Sequence, residues 1–166
     1  MYRRFAFLLV ALVLACDVTS KALAVHFLEG HESVKILGDF LKLSFARNPG
    51  AAFSFGTGST LLFTLLALGV SGALIVAIGK VENKHWALAL GGVLGGALGN
   101  VVDRLLRAPG FLHGHVVDFI EFPNYPLFNL ADSAIVCSAI AIAWLTFRGI
   151  PFGTDDPATH PRVESS

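Results

Sequence analysis

The sequence predicts an all-α polytopic membrane protein: four transmembrane helices with a small extracytoplasmic β-sheet cradle. Three observations lead there. Apolar residues make up 54% of the 166-residue chain and charged residues only 14%, against about 25% charged in a soluble domain, so this surface faces something other than water. Four apolar runs are each long enough to cross roughly 30 Å of hydrocarbon. The loop after the first run is itself apolar, but in short alternating stretches that read as strands. The length is that of one domain: residues 1–150 form a single membrane-embedded unit and 151–166 a disordered cytoplasmic tail. A net charge of zero gives no reason to expect nucleic-acid binding.

The first span, residues 5–27, follows the basic start Arg3-Arg4. Val13-Leu14-Ala15-Cys16 resembles a lipoprotein cleavage box, but apolar character resumes through Ala22-Leu23-Ala24-Val25 and three more spans follow. The segment is therefore read as a retained anchor, not a cleaved signal. Asp17 and Lys21 interrupt its far end, four apart with the acid first, the better orientation for a helical ion pair. Either they only neutralise each other, or they brace a site at that membrane face. Val34-Lys35-Ile36-Leu37 and Phe40-Leu41-Lys42-Leu43-Ser44-Phe45 alternate about a Gly38-Asp39 turn as two strands, and Asn48-Pro49-Gly50 marks a further turn. A small apolar sheet lying on the bilayer explains why so apolar a loop is not a helix.

The second span, residues 60–78, is featureless Leu, Ala, Val and Gly and is assigned to scaffolding. A tight polar connection over 80–85 leads to Trp86 at the interface and to the third span, 86–106. Here Gly91, Gly95 and Gly99 recur every four residues, as do Gly92 and Gly96, a spacing that lets helix backbones approach closely. Continued by four, the rows reach Asp103 and Arg107, and Asn100 and Arg104, so the packed stripe turns polar toward its end. Asn100, Asp103 and Arg104 then face neighbouring helices; the plainer alternative is helix glue with a snorkelling arginine.

His113 and His115 have no further His or Cys nearby and are read as exposed loop residues, not metal ligands. Pro123-Asn124-Tyr125-Pro126 ends the second loop; the fourth span, 127–147, follows and stops at Gly149 and Pro151. Cys16 and Cys137 offer neither zinc nor disulfide spacing and are expected as small buried side chains. Arg3, Arg4, Lys80, Lys84, Arg148 and Arg162 fall on one side, against Lys35, Lys42, Arg47, Arg104 and Arg107 on the other. The excess sharpens when Arg104 is counted with a site and the long first loop is discounted, which places both termini in the cytoplasm.

Two acids remain. Asp118 lies in the β-like run 116–120, and Asp132 lies inside the fourth span, about 8 Å below its start and on one face with Asn129. A carboxylate in hydrocarbon is costly unless it faces a polar cavity or finds a partner. Two that converge at one membrane face suggest a shared-proton pair able to activate water.

Five motifs now come in order: Asp17-Val-Thr-Ser-Lys21, Asn48-Pro-Gly-Ala-Ala-Phe-Ser54, Gly99-Asn-Val-Val-Asp-Arg104, Val116-Val-Asp-Phe119 and Phe128-Asn-Leu-Ala-Asp132. With four spans, they closely resemble the bacterial lipoprotein signal peptidases, the type II signal peptidases, over about residues 5–148. The resemblance implies an aspartyl endopeptidase of the bacterial inner membrane that cuts diacylglyceryl-modified prolipoproteins just before the lipidated cysteine. It implies Asp118 and Asp132 as the catalytic pair, near the extracytoplasmic face. Asn48 and Arg104 match residues lining the substrate pocket, and Gly50, Asn100, Asp103, Asn129, Asp17 and Lys21 match supporting positions. It implies no cofactor or metal, contact with membrane lipid, and a monomer. Residues 34–56 are expected to lie over the substrate as a cradle.

Two rival readings carry the same acids. A proton-coupled carrier predicts acids at the midplane and an internal helix repeat, whereas these cluster at one face and no repeat is visible. A non-catalytic membrane subunit would use its polar groups only to lock helices.

Overall fold

The computed structural model describes residues 2–50 and 59–153. Its elements are α1 (Arg3–Leu28), β1 (Val34–Leu37), β2 (Leu41–Asn48), α2 (Ser59–Ile78), α3 (Lys84–Leu106), β3 (Val116–Glu121) and α4 (Leu130–Phe147). All four helices are long and apolar enough to cross a membrane. The three strands form one antiparallel sheet in the order β1-β2-β3. The four-helix architecture with a small sheet therefore stands as the sequence predicts.

α3 is the central helix. Of its apolar window 61% is buried, against 17–22% for the other three, because the two glycine rows serve two different neighbours. A Cβ on Gly91 would lie 2.7 Å from the Ala6 carbonyl oxygen, one on Gly95 2.9 Å from Val13, and one on Gly99 would collide with the Asp17 carboxylate, all on α1. Gly92 and Gly96 instead meet Ser138 and the Ala131 carbonyl on α4. Gly96→Ala should therefore destabilise the protein by about 1–3 kcal/mol, the usual cost of overpacking. Gly69→Ala, whose Cβ would meet nothing within 4 Å, is the matched control. Thermal unfolding in detergent that left the two variants equally stable would contradict the close-approach role of Gly96.

All four helix starts differ from the sequence reading by one to three residues, and for two of them the local cause is plain. α3 begins at Lys84, two residues before Trp86, because the Asn83 side chain caps it by accepting from the His85 N–H at 2.8 Å. α4 begins at Leu130, not at 127. The backbone of Phe128 is taken by β3: the Ile120 N–H donates to the Phe128 oxygen at 2.8 Å, and the Phe128 N–H donates back at 3.1 Å. Asn129 is consequently the N-cap, and Asp132 sits in the first turn. It lies about 3 Å past Leu130, not the 8 Å expected.

α2 does more than scaffold. Thr60 Oγ1 donates to the Pro49 oxygen at 2.6 Å and Thr64 Oγ1 to the Leu112 oxygen at 2.9 Å. Both buried threonines thus pin a loop: one the turn after β2, the other the connection before β3. At the opposite end of the bundle, Trp86 Nε1 donates to the Ile150 oxygen at 2.9 Å, and the Phe152 ring stands edge-on to Trp86 at 5.3 Å. Residues 154–166, the rest of the expected tail, lie outside the described residues.

Cys16 and Cys137 are exposed on the outside of the bundle, correcting the expectation of burial. Helices that bury only one stripe against their neighbours leave most small apolar side chains, thiols included, facing outward.

Candidate active site

β3 alternates. Val117 and Phe119 pack against Ala24 and Leu28 of α1, which turns Asp118 to the other face of the strand. The register pairs Asp118 with Ala46 and Val116 with Asn48, so Asn48 is the diagonal same-face neighbour of Asp118. Its Nδ2 donates to Asp118 Oδ2 at 2.8 Å. The Asn48 oxygen in turn accepts from the Gly50 N–H at 2.8 Å. Gly50 has a φ of +103°, and a Cβ there would lie 2.7 Å from the Phe63 ring, so the turn requires glycine.

The second acid arrives on α4. Asn129 and Asp132 form a reciprocal capping box: the Asp132 N–H donates to Asn129 Oδ1 at 3.0 Å, and the Asn129 N–H donates to Asp132 Oδ2 at 3.2 Å. The same Asn129 side chain donates through Nδ2 to Asp118 Oδ1 at 2.7 Å. One fully buried asparagine therefore touches both acids. Asn100 completes the surround, its Nδ2 donating to Asp132 Oδ1 at 2.8 Å.

Behind Asn100 lies a buried ionic cluster. Lys21 Nζ is 2.7 Å from Asp17 Oδ2, 3.1 Å from Asp103 Oδ2 and 2.9 Å from Asn100 Oδ1. Asp17 also accepts from the Ala131 N–H at 2.8 Å, in the first turn of α4. Asp103 accepts from the Val117 N–H at 3.1 Å and pairs with Arg107. The cluster thus fixes α1, α3, β3 and α4 relative to one another. Asp17 and Lys21, which the sequence left as either a neutral pair or a brace, are tied into this centre.

Hydrogen bonds and ion pairs join every site residue expected from the sequence except Arg104. Arg104 lies alongside, within Coulombic reach of Asp118, Asp103 and Asp132. Its buried Nη1 has no hydrogen-bond partner among the described residues. Burial pushes the Asp118 carboxyl up from its ordinary 3.8 to about 6, and the neighbouring Asp132 charge adds to the shift, while the amides of Asn48 and Asn129 oppose it. Among the described residues, no group of three His, Cys, Asp or Glu side chains is placed to hold a metal ion.

A groove of about 710 Å³ opens from this cluster. Phe40, Phe122, Tyr125 and Phe128 wall it, Val136 and Cys137 continue it along α4, and Asp132 and Ser133 lie at its polar edge. The rings brace one another: Phe40 meets Phe122 at 5.3 Å, and Phe128 meets Phe122 at 5.9 Å and Tyr125 at 5.7 Å. Sequence reasoning missed this wall. Its one local signal is the three-residue spacing of Phe122, Tyr125 and Phe128. It also missed the clamp in which Arg47 Nε and Nη2 grip the two Glu29 oxygens at 2.8 and 3.0 Å, tying the end of α1 to β2. Phe53 and Phe55, expected in the cradle, lie outside the described residues.

Comparison with known proteins follows the same lines. The model of the Peptidase_A8 family, signal peptidase (SPase) II, matches residues 9–148. A Rhodococcus jostii (strain RHA1) protein named lipoprotein signal peptidase is 51% identical over 154 residues, spanning 92% of this chain and 77% of its own length. A protein of the same name from Streptomyces coelicolor is 50% identical over 139 residues, spanning 83% of this chain and 68% of its own. A solved structure described as a bacterial membrane enzyme superposes with a TM-score of 0.77 at 27% identity, covering 87% of this chain and 93% of that one.

Proposed function

The chain belongs to the signal peptidase II family, and from that premise we propose that it is an aspartyl endopeptidase. It removes signal peptides from diacylglyceryl-modified prolipoproteins, cutting just before the lipidated cysteine. The observation that carries this reading is the buried Asn129, hydrogen-bonded to Asp118 and Asp132 at once. Two acids held about one residue, Asp118 by its side chain and Asp132 by its backbone N–H, cannot both ionise cheaply, so one keeps a proton. Burial favours Asp118 as its holder.

In the proposed reaction the ionised Asp132 takes a proton from water as its oxygen attacks the scissile carbonyl carbon. Asp118 gives its proton to the carbonyl oxygen, forming a gem-diol. Asp132 then passes its proton to the leaving nitrogen, the C–N bond breaks, and Asp118 recovers a proton from the diol hydroxyl. Arg104 Nη1, which has no hydrogen-bond partner among the described residues, and the amide of Asn48 orient the substrate backbone or the developing oxygen charge. The apolar groove beside Asp132 suits a substrate whose acyl chains stay in lipid while its peptide bond reaches the acids. In this reading both termini are cytoplasmic, the sheet lies at the outer face, the site faces that side, and a single chain suffices.

The direct test is cleavage of a diacylglyceryl-modified precursor by the purified chain, with mass analysis of the products. A product beginning at the lipidated cysteine is expected; cleavage elsewhere, or no requirement for the lipid, would overturn the substrate assignment. The pH profile gives a second test. Asp118 holds its proton below about 6 and loses it as pH rises through that value, so kcat/KM should decline across it. A profile flat through that region would remove Asp118 as the acid.

A further inference from the structure

Lys21 is wholly buried among the helices, yet no hydrogen bond links it directly to either proposed catalytic acid. Its Nζ lies close to three oxygens: Asp17 Oδ2 at 2.7 Å and Asp103 Oδ2 at 3.1 Å as ion pairs, and Asn100 Oδ1 at 2.9 Å as a hydrogen bond. Charge balance accounts for the first two, with Arg107 serving the other oxygen of Asp103. It does not account for the third, because Asn100 is neutral. An ammonium only donates, so Asn100 must present its oxygen to Lys21; Asn129 Nδ2 donates to the same oxygen at a longer 3.3 Å. That orientation leaves the Asn100 NH2 for Asp132, where Nδ2 donates to Oδ1 at 2.8 Å.

We propose that Lys21 is a positioning residue for the peptidase reaction: by holding the oxygen of Asn100 it commits the amide NH2 to Asp132, and so makes Asp132 the acid that meets substrate ionised. The two acids differ in what stands behind their donors. Asp132 has a cation behind Asn100 and sits in the first turn of α4, where the helix dipole favours negative charge. Asp118 is on a strand, its two amide donors come from Asn48 and Asn129, and the Lys21 charge acts on it at a distance with no amide linking the two. Among the described residues, Asp118 from β3 and Arg104 from α3 interact with Asp132 through charge, and Lys21 from α1 stands one amide removed. The inference rests on the proposed dyad.

The test uses charge-balanced variants, because removing Lys21 alone strands two buried carboxylates. Asp17→Asn/Lys21→Met removes the cation and one partner together, leaving the Asp103–Arg107 pair. It should fold, keep KM within about twofold, lose at least about tenfold in kcat, and shift the acid limb of the kcat profile up by about one pH unit. Asp17→Asn/Lys21→Gln, which can still donate to Asn100, should recover part of the loss. Wild-type kcat and acid limb in the Met variant would overturn the proposal and leave Lys21 a counter-ion only. Asn100→Leu keeps every ion pair of Lys21 and carries the test if the double variants do not fold. Wild-type kcat and acid limb in Asn100→Leu would overturn the proposal, because Lys21 is argued to act on Asp132 only through that amide. Asp132→Asn run in parallel separates the two levels: if it still cleaves, the dyad itself fails, whatever the Lys21 variants do.

Discussion

Asp118→Asn and Asp132→Asn should each lower single-turnover cleavage of a lipidated precursor by at least about 10³-fold, while the protein stays folded. The replacement is nearly isosteric and removes the exchangeable proton chemistry, so the loss falls on the chemical step rather than on binding. Both variants also pay a local cost. In Asp118→Asn the new NH2 faces an amide donor on either side, from Asn48 or from Asn129. In Asp132→Asn the new oxygen can accept either the Asn129 N–H or the Asn100 amide, but not both, and Asn100 cannot turn over while Lys21 holds its oxygen. One hydrogen bond is lost in each case, worth about 1 kcal/mol, too little to unfold a packed bundle. Thermal unfolding alongside the cleavage assay separates the two effects. Retained cleavage by either variant would remove that acid from the mechanism and revive the non-catalytic reading.

Asn129 should show a different pattern, because one side chain does two jobs. It caps α4 by accepting from the Asp132 N–H, and it donates to the Asp118 carboxylate. Asn129→Ala loses both, costing about 1 kcal/mol of stability from the cap and on the order of 10²-fold in kcat. Asn129→Ser restores a good N-cap, but its short side chain cannot also donate to Asp118. Stability should therefore return toward wild type while kcat stays low. Unfolding temperature and kcat measured on the same preparations would show this split. Parallel recovery of both by serine would mean that Asn129 serves the helix alone.

Much of the architecture is legible in the sequence because bilayer thickness fixes helix length: four apolar runs gave four helices with boundaries shifted by a few residues. The glycine rows of α3 were equally readable, since a four-residue spacing defines a face whatever the partner. The start of α4 was not readable from apolar content. Leu127 and Phe128 look like helix, but the Phe128 backbone pairs with Ile120 of β3, and tertiary pairing overrides local pattern. The Asn129–Asp132 spacing is itself a capping-box signature that would have placed the boundary correctly. The convergence of Asp17, Lys21, Asn100 and Asp103 was only half legible. The i,i+4 ion pair is local, but the contact across to α3 spans 79 residues and follows from helix packing alone. Thr60 and Thr64 hid in a featureless apolar run, because a buried hydroxyl bonded to a distant loop carbonyl leaves no periodic trace.

The most direct measurement is an experimental structure with a lipidated peptide whose scissile amide is replaced by a carbinol, the hydroxyl standing in for the attacked carbonyl. A hydroxyl within about 2.6–3.2 Å of both the Asp118 and Asp132 carboxyl groups, with the acyl chains leaving toward lipid, is the expected result. A well-ordered peptide whose hydroxyl touches only one acid, or neither, would contradict the shared-proton pair.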